Sequence, residues 1–161
     1  DRVSRGLGDV YKRQVIQRVK KGEVSIAGEV IGQIKKGLLI LLGFEESDNE
    51  NDIDWIVNKV LSMRIFSDKD QKMNLSLNDI HADLLLVSQF TLHASTRKGN
   101  RPSFIKAAQP NLAQDLYNKT IESFNKKCNG KVETGKFGAM MEVSLTNDGP
   151  VTIIMDSKNK N

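Results

Sequence analysis

Val24–Phe44 reads VSIAGEVIGQIKKGLLILLGF, and this stretch decides the fold class. Val24-Ser25-Ile26 and Glu29-Val30-Ile31 flank Ala27-Gly28, the pattern of two strands joined by a two-residue hairpin. Lys35-Lys36-Gly37 predicts a second turn. Leu38–Leu42, with Phe44 beyond Gly43, is an unbroken apolar run, which suits a strand buried on both faces. Upstream, the pattern is already strand-like from Val15. Downstream of Glu45-Glu46, Ser47 or Asp48 can cap a helix whose first turns are acidic, and acids are favoured at the positive end of a helix dipole. Ile53, Ile56, Val57, Val60 and Leu61 then recur at helical spacing. The acids between Glu45 and Asp54 fit a solvated helix entrance better than a metal site.

Leu84–Val87 predicts a second buried strand, followed by Ser88-Gln89-Phe90-Thr91-Leu92 and a polar, basic loop over residues 93–109. Pro110 opens a second helix with Leu112, Leu116, Ile121 and Phe124 on its apolar side, and Gly130 suits its C-terminal stop. Cys128 continues that stripe and reads as a structural thiol rather than a nucleophile. Met141, Val143 and Leu145 alternate with polar residues; Asn147-Asp148-Gly149-Pro150 interrupts, and Val151–Ile154 resumes as strand. The class is α/β or α+β, with two main helices and a largely antiparallel, layered sheet.

A chain of 161 residues reads as one domain. The 24 basic and 20 acidic residues give a net charge of +4. Arg2, Arg5, Lys12 and Arg13 against Asp1 and Asp9 supply half of it, so without residues 1–14 the charge is +2. That is compatible with a transient nucleic-acid partner. Residues 1–14 show neither periodicity nor an initial Met, and are expected to be foreign to a domain spanning 15–155, with 156–161 a polar tail. One cysteine permits no internal disulfide, and no secretory h-region or membrane-length apolar run is present, so a cytoplasmic location is expected.

The usual catalytic signatures are missing: no G-x-S-x-G, H-E-x-x-H, C-x-x-C or phosphate loop. One Cys and two His cannot supply a four-ligand zinc site, and neither metal nor cofactor is expected. Any hydrolysis is pushed toward backbone donors and substrate assistance. Taken singly, Ser88–Leu92 reads as polar residues at a strand end and Asn147–Thr152 as a turn between strands. Only ~5–6% of X–Pro bonds in folded proteins are cis, so Gly149–Pro150 would by itself be read as trans.

Taken together, Ser88-Gln89-Phe90-Thr91-Leu92 and Asn147-Asp148-Gly149-Pro150-Val151-Thr152 resemble the paired signatures of the D-aminoacyl-tRNA deacylases. Supporting matches are Val15-Ile16-Gln17-Arg18-Val19, Gly37-Leu38-Leu39, Arg64-Ile65-Phe66-Ser67-Asp68, Lys72-Met73-Asn74-Leu75, Arg101-Pro102-Ser103-Phe104 and Thr134-Gly135. The resemblance implies an α/β fold of three layers, two mostly antiparallel sheets with helices on one side. It implies a homodimer with the active site at the subunit interface, and no membrane partner. Gly149–Pro150 would be cis and enter the partner's site beside Ser88, Gln89, Phe90 and Thr91. The substrate would be tRNA carrying a D-amino acid, or glycine mischarged on tRNA-Ala. Carbonyls of Gly149 and Pro150 would hold the substrate amino group, and Arg18 would brace their loop. Backbone N–H groups around Gln89 and Phe90 would form the oxyanion hole. Thr91 is the family's candidate nucleophile or water-orienting hydroxyl; no general base of the family pattern adjoins it, which argues against the nucleophile, and the terminal ribose 2′-hydroxyl can do that work. His93 would share a strand face with Thr91 if the strand continued. Arg97, Lys98, Arg101 and Lys106 form a basic loop near the site, either solvated or in contact with tRNA phosphates. The rival readings are a non-catalytic tRNA-binding dimer and an inactivated copy. An inactivated copy would carry a lesion at Gln89, Thr91, Gly149 or Pro150, and none is present.

Overall fold

The structure, a computed structural model, describes residues 14–158. Apart from Gln14, the segment read as foreign lies outside the described residues, as does the end of the tail. Gln14 itself begins strand β1 (Gln14–Ile26) and pairs with Leu42 and Met155.

β1 organises the sheet. Along one edge it pairs antiparallel with β3 (Gly37–Leu42) through Gln14–Val19, then with β2 (Glu29–Ile34) through Gly22–Ile26. Its other edge pairs with β8 (Glu142–Met155). β6 (Asp83–Ser88) lies parallel to β3, and β7 (Val132–Thr134) parallel to β6. A small antiparallel pair, β4 (Phe66–Ser67) and β5 (Met73–Leu75), stands apart. The two parallel pairings require crossovers, and these carry α1 (Glu50–Ser62) and α3 (Pro110–Lys127). The short α2 (Leu77–Ile80) precedes β6.

The apolar run is buried on both faces, as its pattern predicts. Leu38, Ile40, Leu84 and Leu86 pack with Ile53, Ile56 and Val57 of α1 and Leu116, Tyr117 and Phe124 of α3. Their neighbours Leu39, Leu85 and Val87 point the other way, to Val19, Val24 and Ile34. Successive side chains of a strand alternate between faces, so one strand serves two cores. The second core forms because β2 and the far half of β1 lie over β6 and β7. A Cβ on Gly32 would come 3.0 Å from the Thr134 carbonyl oxygen, and one on Gly22 would come 3.5 Å from Leu85. Helices, one β layer and a second β layer follow in that order, from a mixed α/β chain of mostly antiparallel strands.

Local expectations fared unevenly. Ala27 (φ 50°) and Gly28 (φ 82°) form the two-residue turn. Lys35-Lys36 only bends the chain, because β2 and β3 follow one another along the same edge of β1. The cap of α1 is Asn49, in a reciprocal capping box with Asp52, whereas Asp48 accepts the Glu45 N–H at 2.8 Å. Asp52 is mostly buried, and Lys158 from the tail donates to it at 3.0 Å and to the Ser47 carbonyl at 3.1 Å. Gly130 does not end α3, which stops at Lys127. It is glycine because a Cβ there would fall 2.0 Å from the Ala82 carbonyl oxygen. Cys128 is half-buried against the core, and burial pushes its thiol pKa up.

Candidate active site

β6 ends at Ser88, and its pairing with Leu42 leads the chain to the end of β3. There the Gln89 N–H donates to the Leu42 carbonyl at 2.7 Å, and Phe90–His93 turns into a 3₁₀ helix. Gly43 permits this seat: a Cβ would meet the Gln89 carbonyl oxygen at 3.0 Å and the His93 ring at 3.1 Å. Two expectations are corrected. The Gln89 N–H already serves Leu42, so it is not a spare donor. The N–H groups of Phe90 and Thr91 are the ones that precede the first i→i+3 bond, from Leu92 N–H to the Gln89 carbonyl. His93 does not share a face with Thr91: the strand has ended, His93 is fully buried, and Thr91 is exposed.

The Thr91 hydroxyl accepts a hydrogen bond from the Gln89 side-chain amide. An amide cannot act as a general base, so the contact orients the hydroxyl without activating it. Ser88, Gln89 and Phe90 form one wall of a cavity of ≈ 660 Å³. Phe104 closes a second side, its ring edge-to-face with Phe90 at 5.0 Å. The third is the segment from Phe137 to Val143. Tyr117, which the helical stripe did not single out, ties together from α3 the two segments behind these walls, β6 and the stretch that leads to Phe137. Its buried hydroxyl donates to the Leu86 carbonyl at 3.1 Å, or alternatively to Gly135 at 3.3 Å, and the Gly135 N–H also reaches Leu86 at 2.8 Å. Burial raises the phenol pKa to about 12, so it stays a neutral donor.

The second motif is not a turn between strands. β8 runs through it, but Val19 pairs with Asn147 and Gln17 with Thr152, so Asp148–Val151 bulges out opposite Arg18 alone. Arg18, 9% exposed, fills the space beneath. Its Nε donates to the Asp148 carbonyl at 3.0 Å and lies 3.5 Å from the Asp148 carboxylate; its Nη1 donates to the Ile65 carbonyl at 2.6 Å. A Cβ on Gly149 (φ 128°) would sit 3.2 Å from the guanidinium. The Gly149–Pro150 peptide is cis, and both residues are exposed.

Within one chain the two motifs do not meet. Strands β8, β1, β3 and β6 separate them by three strand spacings, about 14 Å. Gly149 lies opposite Arg18 while Ser88 is level with Gln14, about 13 Å further along β1. Cavity and bulge are thus roughly 19 Å apart. Large apolar side chains stand exposed near the cavity mouth, Met140 at 92% and Phe90 at 60%, a signal invisible to patterning because it depends on which neighbours are absent. Among the described residues, no group of three or more His, Cys, Asp or Glu is placed to hold a metal, and no helix is long and apolar enough to cross a membrane.

Known proteins resemble this architecture. The profile of the family described as D-Tyr-tRNA(Tyr) deacylase matches residues 15–156. A D-aminoacyl-tRNA deacylase of Flavobacterium johnsoniae is 52% identical over 92% of this chain and 99% of its own. One of Akkermansia muciniphila is 57% identical over the same shares. Among solved structures, a c-Myc DNA unwinding element binding protein superposes with a TM-score of 0.85 at 38% identity, over 89% of this chain and 97% of that one. A probable eukaryotic D-amino acid tRNA deacylase shares the fold at a TM-score of 0.78 and 17% identity, over 91% and 99%. A profile spanning nearly all the described residues, and relatives more than half identical over almost their whole length, place this chain in the D-Tyr-tRNA(Tyr) deacylase family, enzymes that hydrolyse ester bonds.

Proposed function

We propose that the protein is a cytoplasmic proofreading enzyme. It cleaves the ester between a D-amino acid and the 3′-terminal adenosine of tRNA, or glycine mischarged on tRNA-Ala, and spares L-aminoacyl-tRNA. Water adds to the ester carbonyl, and the carbonyl oxygen gains negative charge opposite the Phe90 and Thr91 N–H groups. The C–O bond to the ribose then breaks, and the 3′-oxygen leaves as a hydroxyl. The neighbouring 2′-hydroxyl relays the proton, because among the described residues the side chain bonded to Thr91 is an amide. Carbonyls of the Gly149–Pro150 bulge accept from the substrate ammonium, so an L side chain would be driven into the bulge, which is discrimination by exclusion.

The observation that carries this reading is the separation of two complete motifs on one chain. Each is solvent-facing, and each is half of a site. A homodimer in which the bulge of one subunit faces the cavity of the other completes both, and the exposed Met140 and Phe90 at the cavity mouth favour such a contact. The test is hydrolysis of matched D- and L-tyrosyl-tRNA: rapid cleavage of the D ester alone is expected, and equal rates or no cleavage refute the reading. A second reading, a nucleic-acid-binding dimer without catalysis, draws on the DNA-binding name of one structural relative. The same assay separates the two.

A further inference from the structure

From Leu84 to Gln114 the chain contains no Asp or Glu, and the four cations of this stretch, Arg97, Lys98, Arg101 and Lys106, all lie between the 3₁₀ turn and α3. Residues 15–161 net +2, so this stretch carries +4 against a remainder of −2. A run of four cations with no acid among them is an electrostatic footprint for a polyanion. The loop is built rather than loose at its base. Ser95 and Ser103 exchange backbone hydrogen bonds of 2.7 and 2.8 Å, and the Ala108 N–H donates to the Phe44 carbonyl at 2.9 Å. Beyond the Ser95–Ser103 bridge, residues 96–102 are all exposed. Gly99 turns the tip at φ +65° with open space around it. Four residues from bridge to tip reach about 13 Å at most. Phe104, one residue past the bridge, is a wall of the cavity.

We propose that this loop is the tRNA clamp of the enzyme: Lys98 and Arg101 at its tip hold backbone phosphates of the acceptor end while the terminal ester lies in the cavity. The proposal rests on the deacylase reading above and adds the surface that engages the nucleic acid. Phosphate contacts of this kind are blind to sequence and sensitive to salt. Each phosphate contact on a single strand adds about 0.7 to the exponent of the salt dependence, and about 0.9 on a duplex. Raising salt fourfold then weakens binding about threefold per contact.

The experiment compares D-tyrosyl-tRNA with D-tyrosyl-adenosine, which carries the same ester and no phosphate. For the double variant Lys98→Gln/Arg101→Gln, the fall of kcat/KM on the tRNA over a fourfold rise in salt should shrink by about tenfold relative to wild type. At low salt its kcat/KM on the tRNA should itself be about tenfold lower, and Lys98→Arg/Arg101→Lys should restore it. Rates on D-tyrosyl-adenosine should match wild type. Unchanged tRNA kinetics, or an equal loss on the adenosine ester, would overturn the clamp. A wild-type protein inactive on both substrates would instead bring down the deacylase reading, and the clamp with it.

Discussion

Arg18→Leu preserves most of the bulk beneath the bulge and removes every donor. In the folded protein the guanidinium serves the Ile65 carbonyl at 2.6 Å, the Asp148 carbonyl at 3.0 Å and the Asp148 carboxylate at 3.5 Å. Hydrogen bonds to a charged group are worth about 1.5–3 kcal/mol each, and a buried acceptor left without a partner costs about 1–3 kcal/mol. Ile65 is buried and loses its donor outright, whereas Asp148 is only half-buried and water can replace part of what it loses. The net loss is therefore about 2–4 kcal/mol. At ~2–4 °C per kcal/mol for a domain near this size, Tm falls by roughly 5–15 °C. Arg18→Lys keeps the charge but reaches one carbonyl rather than two, so its loss should be intermediate. Thermal unfolding followed by circular dichroism gives the stabilities. Single-turnover hydrolysis of D- and L-tyrosyl-tRNA below Tm gives the selectivity. If Arg18 holds the bulge that excludes L side chains, D/L discrimination should fall in the order wild type, Arg18→Lys, Arg18→Leu. A full-strength D/L ratio in a folded, destabilised Arg18→Leu protein would refute that role, and an unchanged Tm would refute the energetic argument as well.

Two further outcomes follow from single contacts. Thr91→Ala should slow D-tyrosyl-tRNA hydrolysis less than replacing the terminal 2′-hydroxyl by hydrogen, since among the described residues Thr91 meets an amide and no base; a dead Thr91→Ala enzyme with full activity on the deoxy-terminated substrate would reverse the assignment. Asp52 titrates below its ordinary 3.8 because, against a desolvation that raises it, the Asn49 N–H and Lys158 hold the carboxylate charged. A depressed folded pKa contributes stability that is fully present above about 3.9 and lost as pH falls through the folded value. Asp52→Asn should therefore be less stable than wild type at neutral pH, with the gap narrowing below about pH 4; a constant gap in urea melts across that range would show that the charge is not involved.

Much was legible because it depends on neighbours along the chain. The Ala27-Gly28 turn, the buried run Leu38–Leu42 and the stripe from Ile53 to Leu61 follow from periodicity and turn chemistry over a few residues. The two motifs were legible as resemblance, residue by residue. What failed was set by partners distant in sequence. Gly130 looked like a helix stop and is instead a close approach to Ala82, 48 residues away. Asn147–Thr152 looked like a turn because Gly and Pro mark turns, but only the pairing of β1 with both Asn147 and Thr152 makes it a bulge within one strand.

The amino-acid order by itself determined the Ala27-Gly28 hairpin, the buried strands β3 and β6 with their two-faced burial, the apolar stripes of α1 and α3, and the family, since each is written in local pattern or in ordered motifs. Tertiary structure alone decided which N–H groups remain at Phe90 and Thr91, because the Leu42 carbonyl that takes the Gln89 donor arrives from another strand. It alone decided that Tyr117 holds β6 against the segment leading to Phe137, and that Ser88–Thr91 and the bulge lie on different flanks of β1. Hydrogen bonds and packing act over a few ångströms of space, and sequence separation carries no information about that distance once the chain has crossed from one layer to the next.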